Sequence, residues 1–147
     1  MSREIVNHLD EQFASLINSL KDLVSSVPPG LLYRNPPAVS IGEKILRSAA
    51  AVEQTCGGLT ANLWDDPFEW TLPETLSNAD LIIDYLSEVD VARQRAFSSI
   101  LDDGALSKYI SAPSGESRLL ISLLLETLAK ASDYRKSVLQ DLHVNPE

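Results

Sequence analysis

Apolar residues recur along the chain at alternating steps of four and three, the spacing that lines one face of an α-helix, in four separate blocks. The first block runs Ile5, Leu9, Phe13, Leu16, Leu20, Leu23 and Val27. Pro28-Pro29-Gly30 stops it, because proline has no amide to donate and its ring clashes with the preceding turn. The second block repeats the rhythm with Ile41, Ile45, Ala49, Val52, Cys56, Leu59 and Leu63. Ser40 and Glu43 form a capping box at its start, and Gly57-Gly58 are expected to weaken its later turns.

The third block opens after Pro73, with Ser77 or Asn78 as N-cap. It turns Ile82, Leu86, Val89, Ala96 and Ile100 inward, admits Arg93 as a polar intruder, and ends at Asp102-Asp103-Gly104. The fourth starts near Ser114 and carries Leu120, Leu124, Leu128, Ala131, Val138 and Leu142, interrupted by Arg135. No segment alternates at period two, so no sheet is predicted. Four helices of this length predict an all-α, up-and-down four-helix bundle, with one domain spanning residues 1–147. The connection Trp64–Leu76 is too long for a simple helix–helix turn. It is expected to cover one end of the bundle, with Trp64, Phe68 and Trp70 as apolar plugs.

Composition narrows the partners. Of 147 residues 44% are hydrophobic, which excludes a disordered chain, and the formal net charge is −9. Most of that charge lies between Asp65 and Asp103, where ten acids face two arginines. An acidic chain with no basic stripe is a poor ligand for nucleic acid or an anionic membrane. The longest apolar run, Leu119–Leu125, is broken by Ser122 and far short of a membrane span. The first residues lack the apolar stretch of a secretory signal, and the single cysteine, Cys56, permits no internal disulfide. Together these features predict a cytoplasmic protein.

Residues 30–47, GLLYRNPPAVSIGEKILR, resemble the segment after the first helix of DinB-like proteins, where an aromatic and a proline precede a Trp-Ser-Ile-Gly-Glu-His-like helix start. Val39 stands where that tryptophan often is. Residues 130–136, KASDYRK, resemble a family segment reading roughly His-Glu-Ala-His-His-Arg-Gly. Helix count, helix order and the long second connection agree, so the resemblance covers nearly the whole chain. It implies a relationship to metal-dependent thiol transferases, isomerases of a small organic acid and hydrolases. Such proteins place one histidine on the second helix and a His-x-x-x-His pair on the fourth, leaving a coordination position open for water or thiolate.

Here the resemblance puts Arg47 at the second-helix position and Lys130 and Tyr134 at the fourth-helix pair. Lys44 and Asp133 replace two flanking histidines. The only histidines of the chain are His8 and His143, and arginine stays protonated and cannot ligate a cation. The expectation is therefore a degenerate site with no metal and no cofactor.

Two readings of the replacements remain open. Arg47, Lys130 and Tyr134, with Lys44 one turn away, would make a pocket for a small anionic metabolite. Alternatively, the same bases and Glu43, Glu126 and Asp133 form an ion-pair network, with Glu126 and Lys130 spaced i, i+4 in the favourable order. Of the two, the network is the more ordinary outcome. Cys56 falls on the core stripe and is expected to be inert. Three functions compete: a binder of a small acidic ligand, a metal-dependent transferase or hydrolase using carboxylates such as Glu43, Glu53 or Glu126, and an interaction module acting as a homodimer.

Overall fold

The computed structural model describes residues 2–34, 39–111 and 115–144. Four helices carry the fold: α1 Glu4–Ser26, α2 Ile41–Ala61, α3 Ala79–Ser98 and α4 Leu120–Val144. Their inner faces merge into one apolar cluster, in which Phe13, Ile17, Leu20, Ile45, Leu46, Ile82, Leu86, Phe97 and Leu124 are almost wholly shielded from solvent. Phe13 and Phe97 meet ring to ring, with centroids 5.3 Å apart.

The caps follow the sequence. Ser40 Oγ accepts the Glu43 amide at 3.2 Å, and Asn78 Oδ1 accepts the Leu81 amide at 3.0 Å. α1 has no side-chain cap of its own. Asp103, from the connection after α3, accepts the Ile5 and Val6 amides instead. Arg3 in turn donates to the carbonyls of Phe97 and Ile100 at the end of α3. These contacts join the start of α1 to the end of α3 and satisfy backbone groups that a helix terminus leaves open.

The same contacts fix helix direction. α1 runs antiparallel to α3, with Asp10 meeting Arg93 farther along. α2 runs antiparallel to α4: Lys44 meets Asp141, Ser48 Oγ donates to the Ala131 carbonyl, and Thr55 meets Thr127. α2 and α3 run the same way. Tyr33 sits against Gly42 at the start of α2, its hydroxyl donates to the Leu76 carbonyl just before α3, and Glu53 bonds Tyr85 in mid-helix. The order is therefore up-down-down-up, not the alternation expected of consecutive antiparallel helices. The long second connection supplies the reason. It must carry the chain back along α2, roughly 30 Å at 1.5 Å per residue. It does not close an end of the bundle; a short 3₁₀ turn, Pro67–Glu69, lies against the flank of α2.

Other departures are local. α2 stops at Ala61 because Asn62 adopts a left-handed conformation (φ 57°), which leaves Leu63 outside the helix and exposed. Val6, not Ile5, is the buried residue at the start of α1. A two-stranded hairpin, β1 Tyr109–Ser111 with β2 Ser117–Leu119, pairs antiparallel before α4. Strands of three residues are too short to show a period of two. Ser114, the expected start of the fourth helix, lies outside the described residues; α4 begins at Leu120. α2 runs unbroken through Gly57-Gly58, and Trp64 packs on Gly58. Trp70 is 53% exposed and plugs nothing. Among the described residues no helix is long and apolar enough to cross a membrane.

Candidate functional site

The candidate chemistry lies along the seam between α2 and α4. Ala49, Ala50 and Ala51 keep α2 slim, so α4 can approach, and the buried hydroxyl pair Thr55–Thr127 at 2.6 Å pins the register. Arg47, Lys130 and Tyr134 consequently line one small cavity, together with Gln54, Asp66 and Phe68. Its volume is about 20 Å³, which suits a water and not a metabolite.

Arg47 is already engaged there. Its Nε donates to Glu43 Oε2 at 2.9 Å, and its guanidinium lies 4.1 Å from the centroid of the Phe68 ring. Both contacts suit arginine, whose planar cation forks onto carboxylates and stacks on aromatic faces. Phe68 thus acts as a cover over Arg47, delivered by the returning connection. Lys44 is also committed, its Nζ 2.6 Å from Asp141 Oδ2 in a largely shielded pair. Glu126 pairs with Arg118 of β2, not with Lys130.

Lys130 is exposed and Tyr134 half-buried, and, like Asp133 in the same groove, they have no protein partner among the described residues. Among the described residues no carboxylate lies within 4 Å of Lys130, and the Tyr134 hydroxyl has no hydrogen-bond partner. Both side chains also line a second, open groove of about 640 Å³ on the outer side of the seam. Val39, Ala129 and Ser137 form part of that wall, with Lys44, Glu126 and Asp133 around it. All five residues singled out from the sequence therefore stand at two adjoining hollows that share Lys130 and Tyr134. The ion-pair reading describes Arg47, Lys44 and Glu126, and it leaves Lys130 and Tyr134 over.

Elsewhere, Cys56 is buried, and desolvation pushes its thiol up to about 12 against the opposing pull of Arg93. It is inert at neutral pH. His8 lies on the surface beside Glu11, and His143 is exposed in the last turn of α4. Among the described residues no three His, Cys, Asp or Glu side chains form a group that could hold a metal ion. Glu43 and Glu126 have arginine partners, and Glu53 accepts the Tyr85 hydroxyl at 2.6 Å. Asp141 was not legible as a partner because it lies 97 residues from Lys44, and Arg118 was not because it stands on a short strand, β2, that no period-two pattern announces.

Glu53 supplies a pH test of this burial. Desolvation holds its carboxyl above the ordinary value, the Tyr85 hydrogen bond opposes that shift, and Glu88 adds to it. A carboxyl raised in the folded state stabilises the fold fully below its unfolded pKa, and loses that contribution as pH rises through its folded pKa. Glu53→Gln cannot ionise. Its stability relative to the native chain should rise as pH climbs above about 4, the ordinary glutamate range, and level off once Glu53 ionises in the fold, as read from urea titrations. A difference that stays flat as pH climbs would show Glu53 to be solvated. Compared with known proteins, the chain matches no family model, no curated protein and no solved structure.

Proposed function

We propose that this chain is a DinB-like bundle in which the ancestral metal position has become part of a binding site for a small acidic molecule. Its ligand would be a carboxylate with an apolar body, seated in the groove between α2 and α4. The observation that carries this reading is the pair Lys130 and Tyr134, a cation and a hydroxyl with no partner among the described residues, on the wall shared by both hollows. An ammonium and a phenol together give a carboxylate a charge-assisted and a directional hydrogen bond. Val39 and Ala129 offer the apolar body a surface in the same groove. Arg47, held by Glu43 and Phe68, backs the site with a fixed positive charge and does not itself grip the ligand.

Hexanoate and benzoate are suitable probes, with acetate as the control that lacks an apolar body. Calorimetric titration should give saturable binding of the first two and much weaker binding of acetate. Lys130→Ala should weaken hexanoate by about 10- to 100-fold, the loss of one charge-assisted hydrogen bond. Tyr134→Phe should weaken it less. Equal binding by the native chain and Lys130→Ala would overturn the assignment.

A further inference from the structure

A separate hollow opens on the other side of α4, where it faces α1. Its volume is about 210 Å³, and its polar wall consists of Gln12, Ser15 and Ser19 from α1 with Ser132 and Arg135 from α4. No acid lines it, although the chain carries a net charge of −9. Leu16 and Leu128 complete the lining, while Gln12 and Ser15 stand at its exposed rim.

Arg135 is the unusual member. Every other described arginine that is half-buried or more has a carboxylate or carbonyl partner. Arg3 holds the end of α3, Arg47 holds Glu43, Arg93 holds Asp10 and Asp90, and Arg118 holds Glu126. Arg135 reaches only the Ser19 hydroxyl, at 3.3 Å, and among the described residues no carboxylate lies within 4 Å of it. A guanidinium has five N–H donors, so most of its donor capacity is left over. The spacing explains why these groups meet: Gln12, Ser15 and Ser19 lie at successive three- and four-residue steps on α1, as do Leu128, Ser132 and Arg135 on α4.

We propose that this hollow binds a phosphate-type oxyanion, with Arg135 as its charge partner and the three serines and Gln12 as neutral donors. A tetrahedral anion with several acceptor oxygens suits donors arriving from two helices, and the uncompensated cation supplies the affinity. The inference stands independently of the carboxylate groove on the opposite side of α4.

The test is an amide NMR titration of the intact chain with inorganic phosphate, with acetate and sodium chloride in parallel. Phosphate should produce saturable shifts confined to Gln12, Ser15, Ser19, Ser132 and Arg135. In Arg135→Gln the apparent Kd should rise at least about tenfold, the loss of a charged hydrogen bond, with the rest of the spectrum unchanged. Shifts that sodium chloride reproduces, saturation by acetate in place of phosphate, or an unchanged Kd in Arg135→Gln would each overturn the proposal. None of these outcomes touches Lys130 or Tyr134, so the two assignments fail separately.

Discussion

Truncating Arg93 to alanine is expected to lower folding stability by about 2–3 kcal/mol, near the bottom of the range for breaking a buried ion pair. Arg93 is 9% exposed on the inner face of α3. Its Nε donates to Asp90 Oδ1 at 2.8 Å, and a second nitrogen donates to Asp10 on α1. One cation thus serves two carboxylates that are themselves a quarter to a third exposed. That partial exposure places the expected loss at the lower end, because solvent can recover some of the unpaired charge. Alanine removes the shared cation and the aliphatic stem that packs with it, and leaves two acids facing each other across the α1–α3 seam. In a domain of this size the midpoint of thermal unfolding should fall by roughly 4–12 °C. Replacing all three residues with apolar side chains should restore most of the loss, since a buried ion cluster contributes little net stability over well-packed carbon. A drop below about 0.5 kcal/mol in Arg93→Ala would show that water, not Arg93, screens Asp10 and Asp90.

Gly58→Ala should also destabilise, by about 1–2 kcal/mol, against the ordinary direction of a glycine-to-alanine change in a helix. A Cβ at this position would stand 2.2 Å from Cε3 of the Trp64 ring, well inside contact distance. The ring is not free to move aside. Its Nε1 donates to Asn62 Oδ1 at 2.9 Å, and the Trp64 carbonyl accepts from Gln54 at 2.8 Å. Asn62 is the left-handed residue that turns the chain out of α2, so displacing the tryptophan disturbs the start of the returning connection. The cause can be isolated by a double-mutant cycle. With Trp64 already replaced by alanine, Gly58→Ala should become stabilising by about 1 kcal/mol, because only the helix propensity remains. If Gly58→Ala keeps the same sign in both backgrounds, contact with Trp64 is not why glycine stands there.

Those two sites illustrate what the sequence could convey. Helix stripes were legible because burial and periodicity act locally: Phe13, Ile45, Leu86 and Leu124 lie where the three-and-four spacing puts them. The Ser40 and Asn78 caps were legible for the same reason. Helix direction was not, because nothing within α2 or α3 encodes which way its neighbour runs. The one hint was the length of the connection between them. Gly57-Gly58 read as a weakness in the helix, since a glycine pair carries no trace of the aromatic ring that Gly58 admits. Within the candidate site, the proximity of Arg47 to Lys130 and Tyr134 could be anticipated from the register of the two resembling segments. The i, i+4 spacing singled out Glu126 with Lys130, whereas the structure pairs Glu126 with Arg118 and uses that same spacing for Glu43 and Arg47. The bond between Lys44 and Asp141 joins residues 97 apart in sequence, and the stacking of Phe68 on Arg47 depends on a connection whose path the sequence leaves open.

The most direct measurement is a crystal structure of the chain soaked with hexanoate. The account predicts one carboxylate between Lys130 Nζ and the Tyr134 hydroxyl, its tail along Ala129 and Val39, with the Arg47–Glu43 pair unbroken. Hexanoate bound elsewhere while that groove stays free, or Lys130 turned away onto Asp133 in the complex, would contradict it.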